Sequence, residues 1–200
     1  PPMPVMKEYF ISVEMIRQHI LTNVDFRGAG LVFQHLTRSL DQMLIECFDE
    51  VNPDRAKASL NLNVETVFTH SFQNLLEKGG KALSSLVLEF RAENILQNWD
   101  QFQTASELIT SHGGTIAIDA IIPESLGVMD LPRLGAKLAK VFWRPGTENS
   151  LPKYKETIQN LQQRGTVLVM ARVDDELAIK TAHACGITMF QGFLIDDMVR

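Results

Sequence analysis

The sequence predicts an α/β fold, a TIM-like (β/α) barrel, from three observations. Short apolar runs each end on, or just before, a side chain that can do chemistry. These runs recur about 20 to 30 residues apart, with one gap about twice as long, which is the length of one strand plus one helix. The segments between them carry apolar residues at helical spacing. The run ends lie at Asn61, Glu89, Asp119, Lys140, the Met170-Ala171-Arg172 stretch and Gln191.

Five of the runs are predicted as parallel strands, because they are short and almost wholly apolar. In chain order they are 58–62, 86–90, 115–119, 138–142 and 166–170. Helices with one buried face are predicted between them. Their apolar positions are Leu36, Leu40, Met43, Leu44 and Cys47, then Phe68, Phe72, Leu75 and Leu76, then Phe102, Ala105 and Ile109, then Tyr154, Ile158 and Leu161.

Glycines fall where each helix should end and the next strand begin, at Gly79-Gly80, Gly113-Gly114, Gly165 and Gly186. The first fifty residues differ from this pattern. They show two helical stretches, around 10–21 and 31–49, and no strand is predicted before them. We therefore expect a barrel that is incomplete or modified at its first strand, its opening strand lying outside this chain or lost.

Composition excludes several classes of function. With 19 basic and 24 acidic side chains the net charge is −5, so the chain has no basic footprint for nucleic acid or an anionic membrane. No apolar stretch approaches the roughly 20 residues of a membrane span. The two cysteines, Cys47 and Cys185, lie far apart among apolar neighbours. They predict buried thiols and a reducing, cytoplasmic location.

Six segments in order resemble the strand ends of one family, the EAL domains, which are bacterial cyclic di-GMP phosphodiesterases. The segments are Leu60-Asn61-Leu62-Asn63 ("NLS"), Leu88-Glu89-Phe90-Arg91-Ala92 ("LEITE"), Ile118-Asp119-Ala120 ("DDFG"), Lys140-Val141-Phe142 ("KID"), Met170-Ala171-Arg172-Val173-Asp174 ("AEGVE") and Gln191-Gly192-Phe193-Leu194 ("QGY"). Phe10-Ile11 with Glu14 also resembles the helix that follows the family's EAL strand. The chain is thus expected to start just after that strand, as a single degenerate EAL-like domain over 1–200, the C-terminal part of a longer protein.

The resemblance implies a mechanism in which two divalent cations, held by carboxylates and an Asn amide, activate a water that attacks a phosphodiester. Ligand-type side chains remain at Asn61, Glu89 and Asp119. Lys140 stands where the family keeps a lysine that orients or deprotonates the water, and Gln191 remains beside it.

At other positions where the family has a carboxylate, this sequence has a residue that cannot bind a metal ion. Ala120 replaces the second aspartate of "DDFG", Ala171 replaces the glutamate of "AEGVE", and Phe142 replaces the aspartate of "KID". The glutamate of the EAL strand is expected to have no counterpart in the chain. Hard cations such as Mg²⁺ and Mn²⁺ require several oxygen ligands, so we expect no bound metal and no catalysis, and Asn61, Glu89, Asp119 and Lys140 are interpreted as vestigial.

Arg172 stands where the family has glycine. Two readings are open: its guanidinium pairs with Glu89 and Asp119 as a substitute cation, or it points to solvent. Lys140 is the other candidate to neutralise those two carboxylates. Asn61 is either a vestigial ligand or a strand-end cap. Gln191-Gly192 is either part of the pocket or only a turn.

Two classes of function remain. The first is a catalytically inactive EAL-like domain in bacterial signalling, which binds another protein or domain, or senses cyclic di-GMP, through a vestigial pocket of Asn61, Glu89, Asp119, Lys140, Arg172 and Gln191. The second is an active phosphodiesterase that uses Mg²⁺ or Mn²⁺ and is completed by residues outside this chain. Phe142-Trp143-Arg144-Pro145 is either a partner-binding patch or packing beneath the next loop.

Overall fold

The computed structural model describes residues 3–19, 30–77 and 83–199. Seven strands follow one another through one sheet in chain order, and the strand pairs with a defined register are parallel. The strands are β1 (Lys7–Tyr9), β2 (Ala58–Asn61), β3 (Leu86–Arg91), β4 (Thr115–Ile121), β5 (Ala136–Phe142), β6 (Val167–Ala171) and β7 (Met189–Phe190). The predicted α/β fold is confirmed, and all five predicted strands are present within a few residues of their expected bounds.

The helices lie between the strands, as the apolar spacing predicts. They are α1 (Val13–His19), α2 (Gly30–Glu46), α3 (Phe48–Val51), α4 (His70–Glu77), α5 (Ala92–Gln97), α6 (Trp99–Ser111), α7 (Thr147–Ser150), α8 (Lys155–Gln163), α9 (Glu176–Ala184) and α10 (Phe193–Val199). Short 3₁₀ turns cover Val64–Phe68, Pro123–Ser125 and Leu151–Tyr154. None of the helices within the described residues is long and apolar enough to cross a membrane.

The expectation that no strand precedes the first helix is wrong. Strand β1 lies in the first ten residues and pairs in parallel with β2, with Glu8 beside Ser59 and Tyr9 beside Leu60. At three residues it is too short for an alternating pattern to reveal it. The Gly79-Gly80 helix stop lies outside the described residues, whereas Gly165, with φ of 90°, ends α8 in the conformation that favours glycine.

The chain divides into two compact units. The N-terminal unit comprises Met6–Leu88 and Asn98–Gly114, and the C-terminal unit comprises Pro1–Val5, Glu89–Gln97 and Thr115–Arg200. Each has an apolar core on its strands and the helices that cover them. Fully buried core residues include Leu60, Phe72, Phe102 and Ile109 in the N-terminal unit, and Phe90, Ile118, Val141, Ile158 and Met170 in the C-terminal unit.

Both cysteines were predicted to be buried, and one of them is. Cys185 is 1% exposed, and its burial raises the pKa of the thiol. Cys47 is exposed, because it occupies the break between α2 and α3. Its expected burial is therefore wrong.

Asp41 of α2 fixes the segment that follows β2. Its Oδ2 atom accepts hydrogen bonds from the Asn63 backbone N–H at 2.7 Å, from Asn63 Nδ2 at 2.8 Å and from Thr66 Oγ1 at 2.8 Å. Burial raises the pKa of the Asp41 carboxyl above its ordinary value of 3.8, although these hydrogen bonds act to lower it. One desolvated carboxylate thus anchors the chain just beyond Asn61.

Replacing Asp41 should change how stability depends on pH. With a raised pKa, the folded state binds more protons than the unfolded state from about pH 3.8 upward, so this group's contribution to stability falls as the pH rises through the folded pKa. Asp41→Asn removes this loss while keeping an oxygen for the three donors. The free energy of unfolding of the variant, measured in urea from about pH 3.5 to 7, should therefore rise relative to that of the wild type over this window.

Asp54→Asn, at an exposed position, is the control for the loss of one negative charge. Identical pH dependence for Asp41→Asn and the wild type would contradict a raised pKa at Asp41.

Candidate functional site

Glu89 and Lys140 form a buried ion pair in the C-terminal unit. The distance from Lys140 Nζ to Glu89 Oε2 is 2.6 Å, and the side chains are 3% and 0% exposed respectively. Glu89 lies on β3 and Lys140 on β5, with β4 between them in the sheet order. Both side chains therefore lie on the same face of the sheet. The prediction that Lys140 neutralises a strand-end carboxylate is confirmed for Glu89.

The cost of this burial explains why the two residues occur together. A carboxylate or an ammonium taken from water into a protein interior costs several kcal/mol, and mutual attraction offsets this only when the two groups meet closely. A contact of 2.6 Å brings the two charges together, and the offset also depends on hydrogen bonds to their remaining atoms. Each charge therefore depends on the other to stay ionised within the core.

Asp119 lies half-buried on β4 at a break in the strand pairing. Ile118 pairs with Ala139 and Ile121 pairs with Val141, so β4 contains one residue more than β5 in this interval. Ala120 within the bulge has φ of 62°, a left-handed conformation that costs a residue with a Cβ atom roughly 1–2 kcal/mol. The bulge sets the direction of the chain at Asp119, where the resemblance places a metal ligand.

Arg172 does not pair with Glu89 or Asp119, and that hypothesis is wrong. Its guanidinium carbon lies 4.1 Å from the centroid of the Phe142 ring, and it forms no ion pair within the described residues. Phe142 and Ala171 are partners in the β5–β6 register, so the residue after Ala171 lies within reach of this ring. Lys140 already supplies the cation at Glu89. The side chain is exposed, but it packs on an aromatic face.

The Gln191-Gly192 segment is bound closely to the end of β6. The Gln191 N–H donates to the Met170 carbonyl at 2.9 Å, and the Gln191 carbonyl accepts from the Val173 N–H at 3.0 Å. A Cβ atom on Gly192 would overlap the Val173 backbone nitrogen and lie 2.5 Å from the Val173 carbonyl oxygen. Gly192 also has φ of 152°. This close approach of two backbones requires glycine.

Asn61 lies in the N-terminal unit, where it contacts a residue that the sequence reading missed. Its Nδ2 atom donates to Glu8 Oε1 at 2.6 Å. Both side chains are half-buried, and they lie at the carboxyl ends of neighbouring parallel strands. The sequence does show a glutamate just before the Phe10-Ile11 segment, which could have indicated a site residue. It was not identified, because a strand of only three residues was not recognised. This acid–amide pair is a second candidate polar site.

The aromatic segment after β5 is held by its neighbours. Trp143 Nε1 donates to Asp175 Oδ2 at 3.3 Å, and Asp175 Oδ1 accepts from the Ala178 N–H at 2.8 Å as the N-cap of α9. Phe142 and Trp143 are both half-buried. These contacts favour packing over a free aromatic patch.

Within the described residues, no group of three or more His, Cys, Asp or Glu side chains is arranged to hold a metal ion. In the C-terminal unit, the carboxylate at the "LEITE" position is already bound to an ammonium group. Ala120, Phe142 and Ala171 offer no side-chain oxygen. The donors of this unit therefore do not fit a two-cation centre.

Comparisons with known proteins establish the fold. No family model matches the sequence. A curated protein from Thiocystis violacea, described as an uncharacterized 76.5 kDa protein in the phbC 3' region, is 24% identical over 106 residues, which are 53% of this chain and 15% of that protein. The chain therefore spans a small part of the curated relative that it matches.

Solved structures with the same fold are EAL domains. The Vibrio cholerae LapD S helix-GGDEF-EAL protein bound to c-di-GMP has a TM-score of 0.68 at 15% identity, covering 80% of this chain and 42% of that one. The Xanthomonas citri FimX EAL domain in complex with c-diGMP has a TM-score of 0.67 at 12% identity, covering 84% and 72%. Bacillus subtilis YkuI, with an EAL domain, in complex with substrate c-di-GMP and calcium, has a TM-score of 0.63 at 18% identity, covering 96% and 50%. The chain thus has the α/β fold of EAL domains.

The Glu89–Lys140 pair predicts strong coupling between two substitutions. Lys140→Met should lower the free energy of unfolding by about 3–5 kcal/mol, because it leaves the Glu89 carboxylate buried without its cation. Glu89→Leu combined with Lys140→Met should restore most of that loss, because no buried charge remains. Urea unfolding of the two single variants and the double variant measures the coupling.

The Arg164–Asp130 pair provides a matched control, since its 3.0 Å contact lies between side chains that are 48% and 49% exposed. Arg164→Met should cost less than about 1 kcal/mol. Additive losses at Glu89 and Lys140 would contradict a coupled buried pair.

Gly192→Ala should destabilise the protein by about 2 kcal/mol or more, because the new Cβ atom would overlap the Val173 backbone. Gly30→Ala is the control, as nothing lies within 4 Å of a Cβ atom there and the position is helical. Thermal unfolding of both variants tests the difference. A Gly192→Ala variant as stable as the wild type would show that the two backbones do not approach this closely.

Proposed function

We propose that this chain is a catalytically inactive EAL-type domain that works by binding, in bacterial signalling. The observation that carries the proposal is the Glu89–Lys140 pair in a site without the full set of carboxylates that the resemblance implies: the ammonium group lies 2.6 Å from the carboxylate, and the positions that lack a carboxylate supply no further oxygen that could hold a metal ion there. A carboxylate held in this way must exchange a buried partner before it can bind a cation. That exchange opposes assembly of a metal centre.

Three further positions support the loss of catalysis. Ala120, Phe142 and Ala171 stand where the resemblance implies carboxylates, and none of them has a lone pair to donate. A hydrolytic site with two metals needs these oxygens to fix both ions and to lower the pKa of the attacking water. We infer that no resident metal is used.

Cyclic di-GMP is the ligand that we propose first. The LapD and FimX structures that share the fold each contain this nucleotide. A protein or another domain is the second candidate, and the exposed apolar surface of α10 favours it. Phe193, Met198 and Val199 are 79%, 46% and 40% exposed, and α10 has no buried residue.

An active, metal-dependent phosphodiesterase is the alternative, and one observation favours it. Glu8 on β1 contacts Asn61, so this chain itself supplies a glutamate where the alternative required a residue from outside. Glu8 leaves Ala120, Phe142 and Ala171 unchanged. We therefore favour binding over catalysis.

Titration calorimetry measures nucleotide binding, and product analysis on the same protein measures hydrolysis. Together they distinguish a binding domain from a phosphodiesterase. We expect cyclic di-GMP to bind with the same affinity with and without Mg²⁺ or Mn²⁺, and no linear dinucleotide to appear on prolonged incubation. Metal-dependent release of the linear dinucleotide that is lost in Glu8→Gln would establish the alternative and contradict this proposal. An absence of heat with the nucleotide would leave protein binding as the function.

A further inference from the structure

Arg172 has no part in the Glu89–Lys140 pair, yet it is held in a defined position. Its guanidinium carbon lies 4.1 Å from the centroid of the Phe142 ring, so the cation rests on an aromatic surface. Within the described residues, the side chain of Arg172 forms no hydrogen bond and no ion pair. The guanidinium is exposed, and a planar fork of N–H donors is therefore available to a ligand.

The backbone on both sides of Arg172 is fixed. The Ala171 carbonyl accepts from the Trp143 N–H at 2.8 Å, and the Val173 N–H donates to the Gln191 carbonyl at 3.0 Å. Ala171 and Val173 are 3% and 0% exposed. Between them Arg172 has φ of 61°, a conformation that disfavours every residue with a Cβ atom. An arginine thus occupies a position where glycine would fit without strain, and its side chain extends from a backbone that is fixed on both sides.

We propose that Arg172 is the specificity-determining residue of the nucleotide site, and that it reads a guanine base. This inference rests on the proposed function. An arginine whose donors lie in one plane makes two parallel hydrogen bonds to the O6 and N7 atoms of guanine, and adenine presents a donor in place of O6. The stack on Phe142 fixes the plane in advance, so less side-chain freedom is lost when the base binds.

The surrounding charge favours a base over a phosphate. Asp174 and Asp175 lie two and three residues after Arg172, and the chain carries a net charge of −5. Carboxylates at these positions repel an anionic phosphate more strongly than the uncharged guanine edge. Lys140 is already bound to Glu89.

The test is calorimetric titration of wild type, Arg172→Lys and Arg172→Ala with cyclic di-GMP, cyclic di-AMP and GMP. Arg133→Ala, which replaces another exposed arginine, is the matched control. We expect both Arg172 variants to bind cyclic di-GMP about 10- to 100-fold more weakly, because lysine keeps the charge but not the paired donors. Wild type should prefer cyclic di-GMP to cyclic di-AMP by a similar factor, and Arg133→Ala should bind as wild type does.

Each other outcome overturns a defined statement. If Arg172→Lys binds cyclic di-GMP nearly as well as wild type, and cyclic di-AMP binds equally, Arg172 contacts phosphate and the guanine assignment is wrong. If Arg172→Ala binds as wild type does, the inference fails and the proposed function stands. If wild type binds neither dinucleotide nor GMP, both the inference and the nucleotide-binding function fail. Binding of GMP that is as tight as cyclic di-GMP and depends on Arg172 supports guanine reading and contradicts cyclic di-GMP as the specific ligand.

Arg172→Gly separates binding from folding. Glycine relieves the positive φ, so this variant should be at least as stable as wild type in thermal unfolding and still bind cyclic di-GMP as weakly as Arg172→Ala. Full affinity in Arg172→Gly would overturn the inference.

Discussion

The buried ion pair between Glu89 and Lys140 is the interaction on which the candidate site depends. A glutamate with no exposed side-chain surface is stable in its ionised form only when a cation or hydrogen-bond donors lie against it. In a site built for divalent cations, metal ions would meet that need. Here a lysine from the second strand along the sheet meets it. Ala120, Phe142 and Ala171 can then lack oxygen donors without leaving a charge unbalanced in the core.

The Glu89–Lys140 and Glu8–Asn61 pairs have different consequences. Glu89–Lys140 joins opposite charges and is excluded from solvent, whereas Glu8–Asn61 joins a carboxylate to a neutral amide and is half-buried. The first pair is balanced in charge. The second keeps the negative charge of Glu8, so it retains the chemistry that the catalytic alternative needs. The proposed function rests on the first pair, and the alternative draws its support from the second.

The sequence was a reliable guide wherever burial sets a repeating pattern. Five parallel strands were readable because they are largely covered, so that most of their residues are apolar. Strand β1 could not be recognised, because three residues are too few to show an alternating pattern. Glu8 lies on this strand and was therefore not identified as a site residue. The contact of Arg172 depends on a positive φ and on the β5–β6 register, and a single sequence reveals neither. Lys140 was recognised as a partner because a buried carboxylate requires one.

The central proposal is that Lys140, in place of a metal ion, neutralises Glu89. NMR spectra of the Lys140 side-chain amine and of the Glu89 carboxyl carbon, recorded during titration with Mg²⁺, test it most directly. We expect neither signal to shift at millimolar Mg²⁺, because the two groups stay bound to each other. A saturable shift of both signals, which would report displacement of the ammonium group by the cation, would contradict this account.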